Sequence, residues 1–158
     1  LTAKTWFLTI HSFTCFLWFH NNVVGYMNVE LNAKQRLELA LRYLREGKAL
    51  AEKDPIQASE KLYKAAEEVV KSLTTYFNFG DVIKRVDERG RWTATELEKA
   101  VLRISEKLGD WFFDSWDKAW ALHVWGFHEA KFDSEDVKKR LPALEKTILE
   151  AQEIVGGR

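Results

Sequence analysis

Two histidines, two tryptophans and a carboxylate fall within one ten-residue tract, Trp120-Ala121-Leu122-His123-Val124-Trp125-Gly126-Phe127-His128-Glu129. His123 and His128 could move protons near neutral pH, with Glu129 as a carboxylate to orient an imidazole. Trp and His each carry an N–H that needs a partner when buried. A plain bundle core would use Leu, Ile and Ala there instead. The tract is therefore either a site or a packing device. In the second case both imidazoles bond buried backbone at a helix end while the indoles fill the bundle.

Metal ligation is the other chemistry to test. His128 follows His123 by five residues, which in a straight α-helix sets it roughly 140° further round. On that geometry the two rings do not converge on one ion, although Gly126 could break the helix and re-aim His128. The His-Glu-x-x-His spacing of zinc hydrolases is absent, and the single cysteine, Cys15, is far away in sequence. No metal and no cofactor are expected.

A second cluster is Gly90-Arg91-Trp92, with Arg85 and Arg89 just before it. Arginine grips phosphate bidentately and tryptophan stacks on a base, which makes Arg89, Arg91 and Trp92 candidate ligand contacts. Trp120 and Trp125 are further candidates. The same turn also reads as one in which Trp92 plugs the bundle and the arginines are solvated. Lys138-Lys139-Arg140, beside Glu135-Asp136, reads as a solvated face. No glycine-rich phosphate loop links a strand to a helix, which excludes a nucleotide-hydrolase fold on pattern.

The elements that must position these residues are helices. From Met27 onward the apolar spacing is helical throughout, with almost no strand signal. A first helix is expected from about Asn32 to Lys53, with Leu37, Ala40, Leu41 and Leu44 inward. Asp54-Pro55-Ile56-Gln57 starts a second, with Asp as N-cap and Pro at the first helical position, ending near Phe79-Gly80. So short a connection predicts an antiparallel hairpin. A weak connector through Val82 and Val86 follows, with a helical reading open, and ends at Arg89-Gly90-Arg91. Thr93 and Glu96 form a capping box for a third helix, stopped by Gly109. A fourth is expected from about Ser115 to Phe127. Asp133 caps a fifth, which Pro142 should bend or interrupt. The expectation is an all-α fold, an up-and-down bundle of four or five helices.

Composition adds limits. The 158 residues are one domain's worth, and Lys+Arg balances Asp+Glu at 24 each, which gives no global bias toward nucleic acid. One cysteine allows no internal disulfide and fits a reducing compartment. Residues 1–26 form an apolar, aromatic leader whose only charged side chain is Lys4. It is a poor signal peptide, because Asn21-Asn22-Val23-Val24 makes a poor cleavage site. As a membrane span it is too short and carries Thr9, His11, Ser12 and Thr14. Met27 is taken as the natural start, with 27–158 as a single helical domain that has no membrane segment.

Tyr43-Leu44-Arg45-Glu46-Gly47, the run Asp54 to Glu68, Gly90-Arg91-Trp92 and Leu122 to Glu129, in that order, resemble the PaREP family of archaeal proteins, whose activity is unassigned. The resemblance spans about Asn32 to Val155 and implies an intracellular, cytoplasmic protein of a thermophile. That family is in turn similar to the HEPN helical bundles. These accompany minimal nucleotidyltransferases or act as metal-independent ribonucleases, often as homodimers, with an Arg and a His a few residues apart. Here Lys118 stands where that arginine would precede His123, and lysine offers a point charge without the bidentate fork. The resemblance therefore implies a HEPN-like bundle acting as a binding or regulatory module for a protein partner, a nucleotide or RNA. The rival reading is a metal-independent ribonuclease using His123, with Lys118 or the arginines near residue 90 holding phosphate. His128 and Glu129 are its other candidate groups. A buried, backbone-bonded His123 would speak for packing alone.

Overall fold

Asn32 opens the first helix, α1 (Ala33–Leu50), with a reciprocal capping box: its side chain accepts from the Gln35 amide, and the Gln35 side chain accepts from the Asn32 amide, both at 3.0 Å. Asp54 caps α2 (Pro55–Tyr76) through the Gln57 amide, with Pro55 in the first turn where its missing N–H costs nothing. These and the elements below come from a computed structural model that describes residues 31–157. The leader and the proposed start at Met27 lie outside the described residues.

Four further helices follow: α3 (Gly80–Arg89), α4 (Ala94–Leu108), α5 (Asp110–Ala121), and α6 (Ser134–Gly156), with a wider-wound turn, Leu122–His128, continuing α5. The described chain is an all-α bundle of six helices. Contacts fix their directions. Gly47 packs on Leu62 while Ser72 donates to the Ala33 carbonyl, so α1 and α2 are antiparallel. Asp81 meets Arg103 and Arg89 meets Glu96, which reverses α3 against α4. Trp116 donates to Glu98, which reverses α5 against α4. Lys138 meets Glu52 and Lys48 meets Glu145, setting α6 antiparallel to α1.

Helix α2 sits at the centre, against α1, α4, α5, the wide turn and α6. It is buried almost all round, from Ala58 and Leu62 through Val69, Val70 and Leu73. Such a helix belongs in a bundle interior. Small side chains permit close approach: an added Cβ on Gly47 would fall 2.7 Å from the Leu62 side chain. The buried charges of α1 and α2 are paired. Glu68 bridges Arg36 of α1 at 3.0 Å and Lys71 of its own helix at 2.8 Å, and Lys71 also meets Glu67 at 2.6 Å.

Four details depart from or sharpen the sequence expectation. The connector through Val82 and Val86 is a full helix, α3, because those two valines stack one turn apart and both are buried. Gly90, at φ 67°, ends it. The fourth expected helix begins at Asp110 rather than Ser115. Gly109, at φ 100°, makes the corner, and the Trp111 indole locks it by donating to the Leu108 carbonyl at 2.7 Å. Helix α6 runs unbroken through Pro142. That residue is exposed, while Val137 and Leu144 on either side are anchored in the core. At Thr93 the hydroxyl bonds the Glu96 carboxylate instead of capping the helix amide.

Candidate functional site

The wide turn after α5 is π-helical: the Glu129 amide reaches back five residues to the Val124 carbonyl at 2.9 Å. It closes through Ala130, at φ 50°, with the Lys131 amide bonding the Trp125 carbonyl at 2.8 Å. Gly126 seats it on α2. A Cβ there would lie 2.3 Å from Ser59 Oγ, so only glycine allows the two backbones this close. Ser59 in turn donates to the Pro55 carbonyl and is fully buried.

In an i→i+5 ladder, residues five apart stack on one face. His123 and His128 do so, their Nε2 atoms 3.2 Å apart. The divergence of roughly 140° holds only for a straight α-helix. The π turn removes it without breaking the helix at Gly126.

His123 is bonded to side chains. Its Nδ1 stands 3.2 Å from Glu60 Oε2 of α2. Tyr63, three residues after Glu60 on α2, stacks on the ring at 4.0 Å between centroids, and Trp120 lies at 5.5 Å. With the Glu60 carboxylate accepting from Nδ1–H, Nε2 keeps its lone pair and accepts from His128. The arrangement is a carboxylate–imidazole–imidazole chain that leads from the core to the surface. Glu60 and His123 side chains retain 15% and 21% exposure, and His128 is exposed.

The other Glu60 oxygen meets Lys64 at 3.4 Å. Burial works against the charged Lys64, but Glu60 and Glu67 outweigh it and hold the ammonium above its ordinary pKa. The Tyr63 hydroxyl is pushed well above the ordinary phenol range by burial, then by Glu67, Glu60 and Glu98.

Lys64 and Glu67 lead to a second feature, a cleft of about 400 Å³ between α1, α2 and the turn joining α3 to α4. Tyr43 and Trp92 supply its aromatic surface, and Lys64 and Arg91 its outer cations. Lys71 faces it too but is held by Glu67 and Glu68. Glu60, Lys64, Glu67 and Lys71 lie at alternating three- and four-residue steps, so one stripe of α2 joins the imidazole pair to this cleft.

The sequence candidates separate accordingly. His123 and His128 come together, and Arg91 and Trp92 share the cleft. Arg89 is turned to Glu96, its Nε 3.2 Å from that carboxylate. Trp120 packs edge-on to Tyr63 beside the core, and Trp125 is exposed under the Lys131 ammonium. Lys118 is exposed and has no ion-pair partner among the described residues. Glu129 is exposed near Lys131; the carboxylate on His123 is Glu60. Glu60, Tyr63 and Lys64 went unnoticed as site residues. Their signal was the density of titratable groups on a helix otherwise rich in alanine and valine.

The chain matches the model of the archaeal PaREP1/PaREP8 family over residues 35–148, and it belongs to that family. It is similar to the crystal structure of a Sulfolobus solfataricus protein, a structural-genomics target, with 34% identity and a TM-score of 0.67 over 73% of this chain and 95% of the other. It is also similar to a solution structure of that target, described as the Orf c02003 protein, with 34% identity and a TM-score of 0.65 over 73% of this chain and 90% of the other. Functionally curated proteins give no match. None of the described helices is long and apolar enough to cross a membrane.

Proposed function

We propose that this protein is a HEPN-like binding module that takes single-stranded RNA or a nucleotide in the cleft between α1, α2 and the α3–α4 turn. The observation that carries this reading is the meeting of Tyr43, Trp92, Arg91 and Lys64 around one cleft of about 400 Å³. Aromatic faces stack bases regardless of sequence, and the two cations serve phosphate. The homodimer, the cytoplasmic location, the thermophilic source and the single domain from Met27 complete the proposal, on the resemblance to the PaREP family and HEPN bundles. Fluorescence anisotropy with a short single-stranded oligoribonucleotide, and with ATP as competitor, tests it. Trp92→Ala should weaken binding by about 1–3 kcal/mol, the worth of one stacked base. Equal affinity for parent and Trp92→Ala, or no binding, overturns it.

One observation supports a second reading, a metal-independent ribonuclease. Glu60 orients His123 in the way a carboxylate orients a general base, leaving Nε2 as the working nitrogen. Cleavage of RNA in EDTA that His123→Ala abolishes would move the enzyme ahead of the binding module.

A further inference from the structure

We infer that His123 and His128 form an open binding site for a borderline divalent transition metal such as Zn(II) or Cu(II). This inference does not depend on the cleft reading. Three features of the π turn carry it.

The first is spacing. Imidazole nitrogens bind Zn(II) at about 2.0–2.1 Å, so two of them on one ion stand about 2.9 Å apart at right angles and about 3.4 Å apart on a tetrahedron. The two Nε2 atoms are 3.2 Å apart, between those limits. The second is the outer partner. Metal-bound histidine almost always donates its other N–H to a carboxylate or carbonyl, which fixes the tautomer and raises the basicity of the ligating nitrogen. Nδ1 of His123 faces Glu60 Oε2 at 3.2 Å, placed to donate to it in this way. The third is rigidity: Tyr63 is stacked on the His123 ring, and the Gly126–Ser59 contact holds the backbone between the two ligands.

The metal replaces the proton that the two nitrogens share. His128, which donates from Nε2 in the metal-free chain, carries its proton on Nδ1 instead, and no net charge is lost from the pair. Among the described residues no group of three or more His, Cys, Asp or Glu surrounds such an ion. On a tetrahedral ion two positions are therefore open to water or an anionic ligand, one more than in a zinc site with three protein ligands. Imidazole donors favour Zn(II) and Cu(II) over Mg(II) or Ca(II).

The test uses the full chain carrying His11→Ala and His20→Ala, which leaves His123 and His128 as its only histidines. Cu(II) is the probe for electron paramagnetic resonance and Zn(II) for calorimetry. One equivalent of Cu(II) should bind with the superhyperfine pattern of two imidazole nitrogens, and His128→Ala should reduce it to one. Glu60→Gln should lower Zn(II) affinity roughly 10–100-fold while both ligands stay in place. His128 is exposed, so its replacement leaves the fold intact. No stoichiometric binding, or a Cu(II) spectrum that His128→Ala leaves unchanged, overturns the site. An affinity indifferent to Glu60→Gln removes Glu60 from it as a positioning residue.

Discussion

Glu60 and His123, 63 residues apart in sequence, meet at 3.2 Å because Gly126 lets the end of α5 lie directly on Ser59. The pairing depends on a backbone approach more than on either side chain. Without the glycine the wide turn could not reach α2, and His128 would lose its place over His123.

Gly126→Ala should therefore act as an overpacking change. A Cβ placed 2.3 Å from Ser59 Oγ and 2.6 Å from its Cβ has to push the buried Ser59 side chain and the turn apart. We expect a loss of about 1–3 kcal/mol in urea unfolding. Ser59→Gly should restore much of it, since the clash is with that side chain alone apart from the Phe132 ring. A double-mutant cycle reads the coupling. Additive losses would show that the strain lies elsewhere in the turn.

The buried Glu68 should weigh far more than a surface carboxylate. It bonds both Arg36 and Lys71 where almost no water reaches. Glu68→Ala leaves two buried cations with one fewer partner, although Lys71 keeps Glu67. The expected cost is about 3–5 kcal/mol. Glu46→Ala removes the surface Lys61 and Arg42 pairs and should leave the unfolding midpoint almost unchanged. Parallel denaturation of the two variants checks the contrast.

Pro142→Ala should stabilise the protein. The proline is exposed within a continuous helix, so alanine restores an amide to the Lys138 carbonyl with no core contact to repair. A gain on the order of 1–3 kcal/mol is expected, read as a higher Tm. A lower Tm would mean that α6 needs the local bend proline imposes.

The sequence expectations succeeded where one rule decides the outcome. The Asn32 start, the Asp54–Pro55 cap and the helical phase of Leu37, Leu62 or Ile104 follow from local chemistry and burial. They leave α3 as a connector with only a weak helical signal, because two valines in ten residues carry little periodicity. Of the two outcomes expected at Pro142, the interruption does not occur, because burial on either side outweighs one lost bond. Half of the candidate site was legible, since His123, His128, Arg91 and Trp92 announce themselves by type. Glu60 was not, because its partner is distant in sequence, and the π turn that unites the imidazoles depends on a tertiary contact at Ser59.

Tyr63 provides a pH test of the same region. Burial, with Glu67, Glu60 and Glu98 adding to it, raises its hydroxyl above the ordinary value of 10.0. An acid whose pKa is higher folded than unfolded holds its proton more tightly in the native state. Its contribution is fully present below the unfolded value and is lost as pH rises beyond it. Stability should therefore fall steadily above about pH 10, and Tyr63→Phe, which cannot ionise, should flatten that decline. Urea unfolding at several alkaline pH values measures it. The same substitution keeps the ring stacked on His123, so the neutral-pH stability should change little. An equal alkaline slope in parent and Tyr63→Phe would show that the hydroxyl is not held neutral by its surroundings.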